Sequence, residues 1–319
     1  MSTPLVTGLH HVTALADDAQ KNVDFYAGIL GLRMVKKTIN FDAPDVYHLY
    51  YGNETGSPGT IMTFFPFPGM VKGRHGKGQM TVTSFSVPDT SLDYWLKRLK
   101  KFNIKHTEPQ KRFDDEVFVY FEDVHGLGLE LVFNKGDKRP GFSYGQIPIE
   151  HAVKGFYGVV LAEEGYERTA GLLLEGMDHK LIVEKGNRFR YSASGEPGDF
   201  VDILWTPEST RGLGGSGTIH HLAFATPDDN TQLEAREKLL SKGYHVTPVM
   251  DRQYFHSIYF REPGGILFEI ATNPPGFAID EAPTALGESL KLPPWYEKSR
   301  DKIEKGLQPI KVQTDKFMD

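Results

Sequence analysis

The sequence predicts an α+β protein built from four copies of one β-α-β-β-β module, and three observations support this fold class. Four short apolar segments with the character of strands recur along the 319 residues. An amphipathic helical pattern follows each of them, and each module closes with a glycine placed four residues before a strand-end position. Such internal repetition determines the architecture, because each copy is one structural unit that packs against another.

The strand and helix patterns recur in the same order in every copy. In module two, the i, i+3, i+4, i+7 spacing that places apolar residues on one helix face occurs at Leu92, Trp95, Leu96 and Leu99. Module one repeats this spacing at Val23, Tyr26, Ala27 and Leu30. The helical patterns of modules three and four, at 166–174 and 233–240, are less regular. The opening strands are LHHVTAL (9–15), TVTSFSV (81–87), FYGVVLA (156–162) and IHHLAFA (219–225).

The closing segments give the register of the repeat. They align on four glycines: Gly59, Gly126, Gly198 and Gly265. This alignment places four residues at equivalent positions on the last strands: Thr63, Glu130, Asp202 and Glu269. The opening strands align His11, Val82, Gly158 and His221, and the separations from these positions to the glycines are 48, 44, 40 and 44 residues. A spacing this constant over four copies supports the duplication.

The chain divides into two predicted domains, a linker and a tail. Modules one and two occupy 1–137, the linker 138–150, modules three and four 151–272, and the C-terminal tail 273–319. The linker falls in KGDKRPGFSYGQIPIE (135–150), which is rich in glycine, proline and polar residues. The tail predicts a helix from about Pro294 to Gly306. Packing of the tail over a domain surface or an interface is favoured only slightly over a loosely held segment.

Composition excludes several classes of function. The chain has 36 lysines and arginines against 42 aspartates and glutamates, a net charge of −6, which argues against nucleic acid as the partner. It has no cysteine, so any bound metal must be held by histidine and carboxylate. We find neither a signal peptide nor an apolar run of membrane-spanning length, and therefore expect a cytoplasmic protein without a membrane partner. The sequence leaves the oligomeric state open and is compatible with a homo-oligomer.

Adjacent histidines open two of the four modules, although an apolar strand seldom contains even one. Each module offers two candidate ligand positions, one on its first strand and one on its last. Module two offers Val82 with Glu130, and module three Gly158 with Asp202, so neither pair contains a histidine. One set that combines histidine and carboxylate remains: His11, His221 and Glu269. For these residues to meet, modules one and four must pair, and modules two and three must form a metal-free half.

Strand alternation selects the second histidine of each pair, because residues i and i+2 of a strand share a face. His11 shares its face with Thr13 and Leu15, and His221 shares its face with Ala223 and Ala225. We therefore expect His10 and His220 to face the other way, toward the helices. A single histidine or glutamate at such a strand position is more often a structural residue than a metal ligand. Their register equivalence favours a metal site of two histidines and one carboxylate with open positions, the arrangement of non-heme Fe(II) oxygenases.

Three segments that carry these residues resemble a known superfamily: GLHHVT (8–13), GTIHHLAF (217–224) and REPGGILFEIAT (261–272). They are similar to the vicinal-oxygen-chelate superfamily, which comprises glyoxalases, bleomycin-resistance proteins and extradiol dioxygenases. Within it the chain resembles hydroquinone-type ring-cleaving dioxygenases, from about Gly8 to LGESLKLPPW (286–295). The N-terminal ligand is the more specific feature, since catechol extradiol enzymes take all three ligands from their second domain. The resemblance implies two glyoxalase-like domains with U-shaped mixed sheets, and modules one and four paired around the metal.

The resemblance also implies a cofactor, a substrate class and site residues. Fe(II), with Mn(II) as the alternative, would be held by His11, His221 and Glu269, and the substrates would be a small aromatic diol and O2. Arg252 and Tyr259 would line the substrate pocket and, with His220, act in catalysis, by orienting the second hydroxyl, hydrogen bonding and proton transfer. Residues that match Thr13, His10 and His220 lie close to the metal in the family, where Thr13 and His10 would contact substrate.

Three other functions compete with this one. A glyoxalase-like isomerase or thiol transferase with Zn, Ni or Mn has four protein ligands, and Thr63 stands at the fourth position, which disfavours it. A catechol extradiol dioxygenase would share the chemistry and differ in substrate. A drug-sequestering module binds its ligand without a metal and would need no histidine–carboxylate set in register, so this function ranks lowest.

Overall fold

Sixteen strands in two curled sheets form the framework of the protein in the computed structural model, which describes residues 4–113 and 115–318. Module one contains β1 (Gly8–Ala16), α1 (Ala19–Val23), β2 (Arg33–Asn40), β3 (Ala43–Gly52) and β4 (Ile61–Pro66). Module two contains β5 (Gln79–Pro88), α2 (Leu92–Lys101), β6 (Gln110–Arg112), β7 (Glu116–Glu122) and β8 (Gly128–Asn134).

The second half of the chain repeats this order and adds a tail. Module three contains β9 (Gly155–Glu163), α3 (Glu167–Gly171), β10 (Lys180–Lys185), β11 (Arg188–Ser192) and β12 (Phe200–Trp205). Module four contains β13 (Ile219–Thr226), α4 (Asp229–Ser241), β14 (Met250–Asp251), β15 (Phe255–Arg261) and β16 (Leu267–Pro275). In the tail, α5 (Arg300–Gly306) is shorter than the predicted helix, because the residues before it form a 3-10 turn at Glu297–Ser299.

The two sheets confirm the predicted fold class and its pairing of modules. The first sheet has the strand order β14-β15-β16-β13-β1-β4-β3-β2 and joins modules four and one, and the second has the order β10-β11-β12-β9-β5-β8-β7-β6 and joins modules three and two. In each sheet the two opening strands pair antiparallel at the centre. Each predicted sequence domain therefore contributes one module to each sheet, and the domain boundaries themselves stay predictions.

The helices cover the outer faces of the sheets, and their sequences explain where they begin. Asp18 accepts a hydrogen bond from the Lys21 backbone N–H and so caps α1, which continues as a π-helical turn at Asp24–Ile29. On α2, Trp95 and Leu99 are fully buried. The long side chain of Arg98 is also buried and donates to the carbonyl oxygens of Gly28 and Ile29. Arg98 thus joins the helices of modules one and two. Among the described residues, no helix is both long and apolar enough to cross a membrane.

The tail packs on the first sheet. Lys36 on β2 is fully buried, and its ammonium lies 2.5 Å from a carboxylate oxygen of Asp280 and 2.5 Å from one of Glu281. Beside this ion pair, two tail residues join an apolar cluster under the ligand-bearing strands, which comprises Val35, Tyr50, Ile61, Ala223, Tyr254, Phe255, Ala271, Phe277 and Leu286. The tail therefore packs against the first sheet and contributes to its apolar core.

We expect Lys36→Met to destabilise the protein by about 3 kcal/mol or more, because the substitution leaves two carboxylates without their buried cation. Urea unfolding measures the loss, and limited proteolysis with mass spectrometry should show new cleavage after residue 276. The matched control is Lys37→Met on the same strand, whose ammonium makes one exposed hydrogen bond to the Glu288 carbonyl. That variant should stay within about 0.5 kcal/mol of the parent. Equal stability of both variants would contradict the anchoring role of Lys36.

A buried glutamate lies where the second sheet meets the first. Glu163 at the end of β9 is 1 % exposed, its Oε1 has no hydrogen-bond partner among the described residues, and Gly264 packs directly on its carboxyl group. Burial, followed by the nearby carboxylate of Glu262, raises the pKa of Glu163 to about 8. The folded chain therefore keeps this carboxyl group protonated at pH values well above 4.5, its ordinary pKa.

The raised pKa of Glu163 can be tested by measuring the free energy of unfolding as a function of pH. Between pH 4.5 and about 8 the folded chain binds more protons at Glu163 than the unfolded chain, so the free energy of unfolding falls as the pH rises through this window and is level above it. The loss has an upper limit of about 5 kcal/mol. We expect Glu163→Gln to remove this fall, as measured by urea unfolding from pH 5 to 9. Parallel curves for the variant and the parent would contradict the assignment.

Candidate metal centre

Three potential ligand atoms converge at the centre of the first sheet. His11 Nε2 lies 3.2 Å from His221 Nε2, and Glu269 Oε2 lies 3.4 Å from the first of these nitrogens and 3.0 Å from the second. Ligands on adjacent corners around an ion, each at about 2.1 Å from it, are about 3 Å apart. The three side chains are buried, and the predicted ligand set is thus brought together with the spacing of one coordination sphere.

The donor set fits a divalent cation. Glu269 Oε2 is fully buried and accepts no hydrogen bond of good geometry from the described residues, so its lone pairs are available. Burial opposes ionisation of Glu269, but the adjacent imidazoles of His11 and His221 outweigh it and hold the pKa well below its ordinary value. The other carboxylate oxygen accepts from the Ser257 hydroxyl at 2.5 Å, which fixes the orientation of the group. Two imidazoles and a carboxylate anchored in this way suit Fe(II) or Mn(II).

The structure corrects the predicted facing of His10 and His220. Along the β1–β13 pairing, Leu9 faces Phe224 and His11 faces Ala223, so that His10 is an extra residue in β1. In the same way Thr13 faces His221 and Ala14 faces Ile219, so that His220 is extra in β13. Each first histidine is therefore the extra residue of a β-bulge, which breaks strict alternation. Both histidines of a pair consequently turn to the metal side of the sheet, and neither His10 nor His220 packs against the helices.

Each bulged histidine contacts the predicted ligand that follows it. His10 Nδ1 is 2.9 Å from His11 Nδ1, and His220 Nδ1 is 2.7 Å from His221 Nδ1. Burial, reinforced by the neighbouring imidazole, lowers the pKa of His10 to about 3 and that of His220 to about 4. Both are neutral and can accept the Nδ1–H of the ligand. This leaves the Nε2 atoms of His11 and His221 free to bind a metal.

A small cavity of about 250 Å³ opens beside the ligand set. Its size is below the range of about 300–1,000 Å³ typical of sites for drug-sized ligands, and suits a single aromatic ring. It is lined by His11, Asn40, Phe41, Asp42, His48, Tyr50, Phe65, His220, His221, Arg252, Phe255, Tyr259 and Leu267. The cavity therefore combines apolar ring faces with a few polar groups and reaches the predicted ligands His11 and His221 directly.

Arg252 and Tyr259, which the resemblance implied for the substrate pocket, line this cavity. Arg252 Nε donates to the Tyr259 hydroxyl oxygen at 3.0 Å, and Arg252 Nη1 lies 3.3 Å from the Asp42 carboxylate at the cavity mouth. Burial, with the Glu269 charge, raises the pKa of Tyr259 above its ordinary value. Tyr259 thus keeps its proton and, because it already accepts from Arg252, can donate into the cavity.

Sequence analysis missed His48 and Tyr50 on β3. Tyr50 Oη is 2.8 Å from His48 Nδ1, and His48 Nε2 is 2.9 Å from Thr63 Oγ1. Thr63 Oγ1 is in turn 2.7 Å from Thr13 Oγ1. Thr13 shares the metal-side face with His11, as predicted, but it is buried and does not line the cavity. Comparing the third strand of modules one and four would have identified this pair, because β3 and β15 occupy equivalent places.

The second sheet fills the equivalent place with ion pairs. Glu130 and Asp202, at the register positions of Glu269 and Thr63, pair with guanidinium groups. Arg112 Nη1 lies 2.8 Å from Glu130, and Arg190 Nε lies 2.7 Å from Asp202. Arginine cations thus neutralise the carboxylates here, and the place of the two histidines is taken by Val82 and Gly158.

A family model described as the glyoxalase/bleomycin resistance protein/dioxygenase superfamily matches residues 8–131 and 160–270. The chain belongs to this superfamily. It is 48 % identical to MhqO of Bacillus subtilis, which is assigned as a ring-cleaving dioxygenase, over 96 % of this chain and 97 % of that protein. It is 33 % identical to the chlorohydroquinone/hydroquinone 1,2-dioxygenase of Sphingobium indicum, over 93 % of this chain and 95 % of that enzyme.

Solved structures agree with this assignment. A crystal structure of a Bacillus subtilis protein assigned as a dioxygenase matches with a TM-score of 0.93 and 47 % identity, over 98 % of this chain and 99 % of that one. Maize glyoxalase I matches with a TM-score of 0.64 and 14 % identity, over 83 % of this chain and 92 % of that one. The second match shows the fold alone.

We expect His221→Ala to abolish stoichiometric metal binding, since two ligands do not replace three. After reconstitution with Fe(II) under argon, the measured iron content should fall from about one ion per chain in the parent to near zero in the variant. His256→Ala is the matched control, because His256 lies on β15 of the same sheet and pairs with Asp229 away from the cavity. A chelator should lower the melting temperature of the parent and of this control, but not that of His221→Ala. Full metal content in His221→Ala would exclude the proposed ligand set.

Proposed function

We propose that the protein is a non-heme Fe(II) ring-cleaving dioxygenase that inserts O2 into a hydroquinone-like aromatic diol. The observation that carries this proposal is the convergence of His11, His221 and Glu269 beside a cavity of single-ring size. The fourth register position is Thr63, a poor ligand, so the coordination sphere keeps open positions for substrate and O2. The hydroquinone dioxygenase among the relatives supports the substrate class.

The residues of the cavity have separate roles in this proposal. Phe65 and Phe255 contact the histidines with their rings and would hold the substrate ring between them. Arg252 would orient the second hydroxyl, which in a para-diol is on the far side of the ring from the metal-side hydroxyl. Tyr259 and His220 would donate and accept hydrogen bonds at the reacting oxygens and move the proton that the substrate releases.

A ferrous ion bound by these residues would lower the pKa of a coordinated phenol and mediate electron transfer from the ring to O2. The balance of the reaction needs no external reductant. One ring C–C bond, between the hydroxyl-bearing carbon and its neighbour, breaks, both atoms of O2 enter the product, and the ring supplies the electrons. We place this cleavage in the extradiol type. Fe(II) is our choice over Mn(II) because it is the metal associated with this ligand set in oxygenases.

A glyoxalase-like isomerase or transferase is the competing function on this fold. Such a site uses a fourth protein ligand, and the Thr63 hydroxyl is already engaged by Thr13 and His48. A catechol extradiol dioxygenase would share the same metal site, and the substrate alone distinguishes it from the proposed enzyme. Both alternatives are outcomes of the following experiment.

The test is oxygen uptake by the anaerobically purified protein reconstituted with Fe(II). On addition of hydroquinone, methylhydroquinone or catechol, we expect O2 consumption with a new ultraviolet absorbance of the ring-opened product for the two para-diols. His221→Ala should lose both signals, and His256→Ala should keep both. Preference for catechol would move the assignment to that substrate. Metal binding without O2 consumption on any diol would overturn the dioxygenase proposal and favour an isomerase or transferase.

A further inference from the structure

The pairing of modules one and four gives each residue of the centre a counterpart. Glu269 on β16 faces Tyr259 on the neighbouring strand β15. Thr63 on β4 faces Tyr50 on the neighbouring strand β3. Because Thr63 occupies the register position of Glu269, Tyr50 is the counterpart of Tyr259. The site thus has two walls with the same construction, one on each side of the β1–β13 pair.

The hydrogen bond from the neighbouring strand to Glu269 has a counterpart at Thr63. Ser257, two residues before Tyr259, bonds to Glu269 at 2.5 Å. His48, two residues before Tyr50, bonds to Thr63 at 2.9 Å. His48 therefore occupies the place of Ser257, but it has a second ring nitrogen, which contacts Tyr50. The proposed function assigns no role to this second wall, although it lines the cavity.

The second wall forms a continuous chain of hydrogen bonds from Tyr50 through His48 and Thr63 to Thr13. Its three links measure 2.8, 2.9 and 2.7 Å. Tyr50, Thr63 and Thr13 are at most 1 % exposed, so water does not compete for the bond between the two threonines, while His48 is half-buried at the cavity. One end lies at the cavity, and the other lies on β1 two residues from His11, where Thr13 faces His221 in the strand pairing. The chain therefore runs from the cavity wall to the face of β1 that carries His11.

A neutral imidazole donates from one nitrogen and accepts at the other, so the chain has two directions. If Tyr50 donates to His48 Nδ1, then Nε2–H donates to Thr63, Thr63 donates to Thr13, and the Thr13 hydroxyl hydrogen is left free. In the reverse direction the free hydrogen is that of the Tyr50 hydroxyl. The tautomer of His48 thus determines which end of the chain can donate.

We propose that His48 is a positioning residue that sets the direction of this chain, so that its donor end is Thr13, on the strand face that carries His11. This inference rests on the proposed function and adds a second polar wall to it. A negative charge that develops at the ligand set favours the direction in which the hydrogens of the chain point toward Thr13. The wall of Tyr259 and Arg252 then serves the substrate from the opposite side.

The test compares His48→Leu, which breaks the chain, with His48→Gln, whose amide can both donate and accept. Iron content and melting temperature first establish that each variant is folded and loaded. With hydroquinone, we expect kcat of His48→Leu to fall about tenfold or more, with KM changed less than about threefold. His48→Gln should recover part of this loss. Unchanged kcat in iron-loaded His48→Leu would overturn the proposal.

Tyr50→Phe tests the other end of the chain against a matched control. Tyr50 and Tyr51 are neighbours on β3, and the Tyr51 hydroxyl donates instead to Asn22 on the helix side. We expect Tyr50→Phe to lower kcat, and Tyr51→Phe to lower the melting temperature while leaving kcat within about twofold. Equal kcat in the two variants would contradict a chain that extends to Tyr50.

A readout other than turnover separates this inference from the proposed function. Nitric oxide added to the ferrous protein gives an electron paramagnetic resonance signal that responds to hydrogen-bond donors near the metal. We expect His48→Leu to change this signal relative to the parent and Tyr51→Phe to leave it unchanged. If the parent consumes no O2 but the signal changes, the proposed function fails and the positioning role stands. An unchanged signal in iron-loaded His48→Leu refutes the positioning role whatever the turnover.

Discussion

The antiparallel pairing of β1 with β13 is the constraint on which the rest of the site depends. His11 and His221 are 210 residues apart in sequence, and this pairing alone brings their imidazoles to 3.2 Å. The two bulges in the pairing then turn His10 and His220 to the same side as the ligands. Each bulge costs a regular ladder hydrogen bond, but it supplies each ligand with an acceptor for its Nδ1–H. The two bulges in the strand pairing thus orient the histidines.

The same framework in the second sheet shows that geometry alone does not make a metal site. Its central strands pair with two bulges as well, and carboxylates stand at both closing positions. There the cations are the guanidinium groups of Arg112 and Arg190, and aromatic rings pack around the latter. Buried carboxylates require a positive partner. A sheet whose strands lack histidine finds that partner in arginine.

Repetition made the module pairing and the ligand set predictable from the sequence, because equivalent glycines and strand starts define the register without any structure. The facing of His10 and His220 was wrong since alternation assumes a regular strand, and nothing in GLHHVT or GTIHHLAF marks the extra residue. His48 and Tyr50 were missed because the comparison used only first and last strands. The tail could not be placed, since its contact with Lys36 joins residues 244 positions apart and depends on a buried charge that composition does not reveal.

Thr63 stands where the equivalent module carries the carboxylate Glu269. Because of this difference, the two paired modules contribute unlike walls to a single centre. In the proposed site, a second carboxylate there would add a ligand and a negative charge, and would close a position that O2 needs. A hydroxyl cannot replace it as a ligand, but it can pass a hydrogen bond onward, which a carboxylate acceptor cannot. Ser257 therefore ends at Glu269, whereas His48 continues through Thr63 to Thr13. One wall of the site fixes the metal ligand, and the other is free to act on what binds in the open position.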